Sequence, residues 1–264
     1  AFLLMLPVSA QALVIGPATY TNTSYYIYAY GDGYFAAPTG PVSISRTATS
    51  PDPSLHPGTA AATLDINAVP FPSITASSSV TGVGPASVGA SMSYRFRIED
   101  ASGTYDPENI VPQLVSYKGS ASAPANGGAT SYFSIAGGNF SDTYQIVAGA
   151  SPISIHQVNG SSQPFSGTSF DVHEVYSIIA NTYYQIDLTA TAVATELGSA
   201  SSFIDPYLQI DPSFADASRY TIVLSQGIGN SVAATPIPAS LPLFVSALGG
   251  LGLLARRRKE TTAA

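Results

Sequence analysis

The chain is predicted to be all-β, an antiparallel β-sandwich of jelly-roll type followed by one C-terminal transmembrane helix. Three observations predict it. Ser91–Ile98 and Tyr183–Ala194 alternate apolar and polar residues with a period of two, the pattern of half-buried antiparallel strands. Turn formers recur at short intervals, as in Asn126-Gly-Gly128, Gly137-Gly-Asn139, Asn159-Gly160 and Gly227 to Asn230. Before the C-terminal stretch no segment carries the 3.6-residue apolar period of an amphipathic helix.

Taken in order, Ala1–Ala12 has an apolar run followed by Ala10-Gln11-Ala12, the small-x-small pattern that signal peptidase accepts. It reads as the end of a secretory signal peptide, with a mature start at Leu13. The body is expected over 13–232. Residues 13–85 are rich in Ser, Thr, Ala, Gly and Pro and read as loop-rich. Within them Ser24–Tyr30 is a strand from its aromatic and β-branched content, and Gly31-Asp-Gly33 a turn. Val42–Ile44 is expected as a short strand inside a long loop from Thr39 to Pro57, and Ala61–Ala68 as another strand.

From Ser87 the alternation sharpens. Met92, Tyr94, Phe96 and Ile98 share one face, with Ser91, Ser93, Arg95 and Arg97 opposite. Further strands fit Ile110–Tyr117, Thr130–Ile135, Thr143–Val147, Ile153–Val158, Ser169–Ile179, Phe203–Ile210 and Tyr220–Leu224. In Ser169–Ile179 the pattern is mixed, with Phe170, Val172, Glu174 and Tyr176 set against Asp171, His173 and Val175.

Charged residues make up only 9% of the chain, yet 45% hydrophobic and 10% aromatic residues suffice to build a core. Four of the 9 basic residues are 256–259, and of the 16 acidic residues only Glu260 lies beside them. The remainder therefore carries 5 − 15 = −10, a sign that argues against nucleic acid as a partner. With no Cys, disulfides and thiolate metal sites are excluded. With no Trp, a sugar-stacking platform would have to use some of the 16 Tyr, and Tyr25, Tyr26, Tyr28 and Tyr30 are the candidates.

The end of the chain, 233–264, is of a different kind. Pro236-Ile237-Pro238-Ala239 leads into an uncharged apolar run, and Arg256, Arg257, Arg258 and Lys259 follow. A span needs about 17–25 apolar residues; counted from Leu241 the run falls slightly short, started at Pro236 it just reaches, and the helix is expected at about 238–255. The cations are retained on the cytoplasmic side, which places the body outside. This tripartite pattern resembles the PEP-CTERM class of bacterial sorting signals, in its VPLPA variant. The resemblance implies export, transient inner-membrane anchoring, and processing near Pro236–Ala239 by an exosortase-type enzyme. Delivery to the cell surface or an extracellular polysaccharide matrix follows from it. Ile237 stands where the main class has Glu, and Thr235 where the variant usually has Val. Thr189–Asn230 is also similar to the bodies of such proteins, in its small-residue run, its two Asp-Pro pairs and its final Leu224-Ser-Gln-Gly-Ile-Gly-Asn230.

Candidate chemistry is sparse. His56, His156 and His173 fall on different loops or strands, none at ligand spacing from another, and no His-based site is expected. No Gly-x-Ser-x-Gly elbow, His-Glu-x-x-His or P-loop is present, so no enzyme and no cofactor are read. Asp100, Asp106 and Glu108 lie in one acidic loop, a calcium candidate without EF-hand spacing. Asp205-Pro206 and Asp211-Pro212 are six residues apart, about 20 Å on a strand. A retaining glycosidase pair needs about 5–5.5 Å. Each Asp is expected to open a Pro-containing turn or edge. Asn22, Asn139 and Asn159 match a glycosylation sequon by chance. The reading is a non-catalytic structural or adhesive protein, with polysaccharide as an expected partner beside the signal peptidase and exosortase. The alternative is a carbohydrate-binding module using the tyrosine platform.

Overall fold

The computed structural model describes residues 25–29, 32–36, 42–50, 58–138 and 140–230. It is all-β, with two antiparallel sheets, a large hydrophobic core and a small separate cluster of Ala60, Val80, Ala86 and Ala194. The nine-stranded sheet contains β1 (Tyr25–Ala29), β2 (Asp32–Ala36), β6 (Pro85–Asp100), β8 (Gly128–Gly137), β9 (Phe140–Gly149), β10 (Ile153–Val158), β11 (Ser161–Pro164), β13 (Tyr184–Thr195) and β15 (Tyr220–Leu224). Its order is β11-β10-β9-β8-β13-β6-β1-β2, and β15 pairs with the far half of β6. The six-stranded sheet runs β12 (Ser169–Ile179), β7 (Ile110–Ser122), β14 (Ser199–Ile210), β5 (Ser73–Val80), β4 (Thr59–Asn67), β3 (Val42–Thr49).

The alternation read from the sequence places the core correctly. Met92, Tyr94, Phe96 and Ile98 are buried, as are Tyr184, Ile186, Leu188, Ala190 and Ala192 on the neighbouring strand. Strand register then sorts the inner face by size. One row across the larger sheet is Tyr144, Phe133, Leu188 and Met92; two rows further on it is Ala148, Ala129, Ala192 and Val88. The facing sheet grades the same way, from Ile66 and Ile74 to Ala62 and Ser78. Since the core fills the space between the sheets at near-crystalline density, small rows draw the sheets together and aromatic rows hold them apart. Asp142, the one buried charged residue among the described residues, lies toward the wide end.

Several expectations are corrected. Among its described residues the segment 13–85 contains five complete strands, β1 to β5. β5 was not expected, because Ser-Ile-Thr-Ala-Ser-Ser-Ser-Val has the composition of a loop; yet Ile74, Ala76, Ser78 and Val80 all point inward. β2 begins inside the glycine segment read as a turn. β3 extends to Thr49, because every residue from Val42 onward has a partner on β4.

Asp205-Pro206 does not open a turn. It lies inside β14, where Pro206 pairs with Tyr117 on β7. Pairing with β5 has ended at Ile204, so on that side β14 is an edge and the missing N–H of Pro206 breaks no ladder. Two residues on, the same edge is closed by a side chain. Leu208 N–H donates to Asn230 Oδ1 at 3.0 Å, and Asn230 Nδ2 donates to Leu208 O at 2.6 Å. Asp211-Pro212 does open a turn, with Ser213 N–H donating to Asp211 Oδ1 at 2.8 Å.

Candidate functional site

Many of the sequence-predicted positions lie outside the described residues. These are Ala10 and Ala12, Pro236–Ala239, the apolar stretch at 238–255, Arg256–Lys259, His56 and Tyr30. Tyr25, Tyr26 and Tyr28 fall in β1, where the backbone alone is described. Among the described residues no helix is long and apolar enough to cross a membrane.

The acidic loop between β6 and β7 is organised around one carboxylate. Asp100 Oδ1 accepts from Ser102 Oγ, from the N–H groups of Ser102 and Gly103, and from Asn181 Nδ2 at 2.9 Å. Oδ2 accepts from Asn109 Nδ2 at 2.6 Å. These donors hold the carboxyl down to about 2, its Ser102 hydrogen bond being the largest cause. Asp106 caps the turn through Glu108 N–H at 2.9 Å, and both residues are exposed. The loop is a hydrogen-bonded clasp between the β6–β7 and β12–β13 connections.

The densest chemistry lies at the wide end of the core, where β9 and β10 face β12. Asp142 projects inward from β9 on the face of Tyr144 and Ile146, and is fully buried. The β9–β10 hairpin pairs Tyr144 with His156, so the rings stack at 3.9 Å. His156 Nε2 then reaches Asp142 Oδ1 at 2.9 Å. From the opposite sheet, β12 turns Glu174 and Tyr176 inward. Tyr176 OH lies 2.5 Å from Asp142 Oδ2 and 2.8 Å from Glu174 Oε2, while Tyr144 OH donates to Glu174 Oε1 at 2.8 Å. Tyr117 OH is 3.2 Å from Tyr176 OH, and its ring stacks on Phe133 at 4.1 Å. Burial raises the Asp142 carboxyl above the usual carboxylate range, against the lowering pull of Tyr176 and His156. Burial likewise raises the hydroxyls of Tyr117, Tyr176 and Tyr144, so all three stay protonated.

The histidine spacing does not reveal this cluster, because His156 bonds to Asp142 rather than to another histidine, and Glu174 joins them from the other sheet. A signal was present in the strand patterns. Glu174 sits on the inward, apolar face of its strand, and Asp142 on that of Tyr144 and Ile146. His173 is on the outer face instead, with Nδ1 2.7 Å from Ser116 Oγ and Nε2 3.3 Å from Asp171.

A second surface is built from hydroxyls. On the outer face of the six-stranded sheet, register aligns Ser45, Thr63, Ser77, Ser201 and Ser122 in one row across five strands. Strands lie about 4.7–4.9 Å apart, which sets the spacing of the row. Ser45 and Thr63 are in contact at 3.3 Å. A groove of about 240 Å³ follows the row from Thr63 to Ser122 and is lined also by Ser79 and Ser199. It contains no charged side chain.

No protein-family pattern and no curated protein sequence matches the chain. Among solved structures, the chain is similar to TmCBM61 in complex with β-1,4-galactotriose, a carbohydrate-binding module. The identity is 10%, over 66% of this chain and 92% of that one, with a TM-score of 0.22. At that score the likeness supports neither a shared fold nor a shared ligand.

Proposed function

We propose that the chain is an exported, non-catalytic β-sandwich protein whose body adheres to neutral polysaccharide through the outer face of the six-stranded sheet. The tail anchors it in the inner membrane for a time, is processed near Pro236–Ala239, and the body passes to the cell surface or matrix. The observation that carries the binding reading is the uncharged groove along Thr63, Ser77, Ser201 and Ser122, the row that Ser45 continues on the neighbouring strand. A hydroxyl both donates and accepts hydrogen bonds, so a row of them complements the hydroxyls of a sugar chain without selecting for charge. The low charge of the whole chain supports the same reading.

The test is retention of the purified chain on insoluble neutral polysaccharides. Ser77→Glu and Ser201→Lys each place a long charged side chain in the groove, and either should lower retention at least tenfold. Tyr26→Ala should leave it within twofold. A loss confined to Tyr26→Ala would transfer the function to the tyrosine platform. No retention of the wild-type chain on any neutral polysaccharide would refute both.

A further inference from the structure

The groove leaves the buried cluster at the wide end without a role. Its charge and proton count do not close. With both carboxyls ionised, Asp142 and Glu174 would bring two negative charges to one place, and His156 would supply at most one positive charge. Burying an uncompensated carboxylate is costly, and such groups are normally paired or bound to a metal. The count around Tyr176 gives the same result. Its hydroxyl has one proton, yet carboxylate oxygens lie within hydrogen-bonding distance on two sides, 2.5 Å and 2.8 Å away. Only one of the two can accept that proton. The other contact sets acceptor against acceptor unless a proton on one carboxyl or a bound cation relieves it.

A third observation is independent of these. Gln113 lies directly across β7–β12 from Tyr176, is fully buried, and has neither amide atom hydrogen-bonded. An unpaired buried carboxamide opposite Tyr176 marks a place where polar material belongs.

We propose that Asp142, His156 and Glu174 bind a divalent transition-metal ion, with Zn²⁺ as the best fit. Their ligand atoms all lie within 4.8 Å of one another. Zn–N and Zn–O bonds of about 2.0–2.2 Å put neighbouring ligands roughly 3.3 Å apart in a tetrahedron. His156 Nε2 and Asp142 Oδ1, at 2.9 Å, are near that value already. Glu174 closes the remaining distance by side-chain rotation. Nitrogen with two carboxylates selects a borderline metal over Ca²⁺ and Mg²⁺, which take oxygen ligands. The stack of Tyr144 on His156 fixes the imidazole plane, and Tyr144 OH holds the outer oxygen of Glu174, as supporting hydrogen bonds do around metal ligands. The ion ties β9 and β10 of one sheet to β12 of the other, so its role is to clamp the two sheets at their wide end. A fourth position remains open to Tyr176 or water.

The test uses the full chain, stripped with chelator and titrated with ZnCl₂ and, in parallel, CaCl₂. One Zn²⁺ should bind per chain. At a hundredfold excess over Kd the melting temperature should rise by about 5–10 °C. His156→Gln and Glu174→Gln should each weaken binding at least a hundredfold, and His173→Gln should leave it within twofold. Because the cluster is buried, a variant that misfolds is replaced by a reading on the wild type. With 3 histidines in the chain, nitrogen-15 spectra of the imidazoles resolve each ring. Zn²⁺ should shift the ring stacked on tyrosine and leave the others in place. No binding, binding at another histidine, or a response to Ca²⁺ with none to Zn²⁺ would overturn the proposal.

Discussion

Gly119 offers the sharpest test of how the wide end is packed. It lies inward on β7, directly opposite Phe170, whose ring occupies the space a side chain would fill. A methyl group there would lie 2.2 Å from Phe170 Cζ, 2.7 Å from its Cε2 and 2.6 Å from Ser131 Oγ. Carbon atoms in contact sit about 3.5–4.0 Å apart, so the ring must retreat by more than about 1 Å. It has little freedom to do so, because Tyr117, Tyr144 and Phe165 surround it at centroid distances of 5.9, 5.5 and 6.4 Å. Overpacking of this kind costs about 1–3 kcal/mol. Replacing glycine in a strand returns roughly 0.5–1 kcal/mol. Gly119→Ala should therefore destabilise by about 1–2 kcal/mol, which lowers the melting temperature by about 2–8 °C in a body of this size. Circular dichroism melts of wild type, Gly119→Ala, Phe170→Leu and the double variant measure it. The double variant should be more stable than the sum of the single changes predicts, since the smaller side chain vacates the clash. A single variant with wild-type stability, or strictly additive changes, would refute this account of the packing.

Other consequences follow from the same geometry. Tyr176→Phe removes the hydroxyl between Asp142 and Glu174, and in metal-free protein should cost about 1–3 kcal/mol in urea unfolding, against about 0.5–1.5 for Tyr117→Phe. Asp100→Ala should release the loop clasp. The carboxyl titrates at about 2 when folded, below its usual value, so the stability it adds is complete above pH 4–5 and lost as pH falls toward 2. The gap in melting temperature between wild type and Asp100→Ala should be constant near neutrality and close in acid; a gap that widens in acid would contradict it. Replacing Arg256–Lys259 with Gln should impair membrane retention and processing while the secreted body keeps its circular dichroism spectrum. Equal processing of that variant would count against the sorting reading.

Much of the sandwich was legible from the chain alone, because its longest strands bury large residues at every second position. β10, β12 and β15 have the predicted bounds. What escaped notice has a shared physical cause, namely small side chains. β5 and the start of β14 bury Ala and Ser where the sheets come close, and such residues give no apolar signal although their backbones pair fully. Of the turn or edge expected at Asp205-Pro206, the structure has the edge. A proline is tolerated in β14 only because β5 stops two residues short, which tertiary structure alone reveals. The buried cluster was half legible. Its two acids stand out as charged residues on apolar faces, but their meeting depends on two sheets folding onto each other, and no local spacing encodes that.

The closure of the β14 edge by Asn230 bears on how the body would carry a mechanical load. If the segment after it holds the chain to a membrane, any pull enters the sandwich at this residue. It meets first the two-way amide bond to Leu208, then Gly229 N–H on Ala68 O at 2.7 Å, then Ile228 set into the core. These contacts reach β14 and the β4–β5 connection, so the tension is divided between elements of the six-stranded sheet before β15 can be peeled from β6. A tether attached there would end in a cleat, and a tug on it would be spread through the body rather than unravelling its last strand.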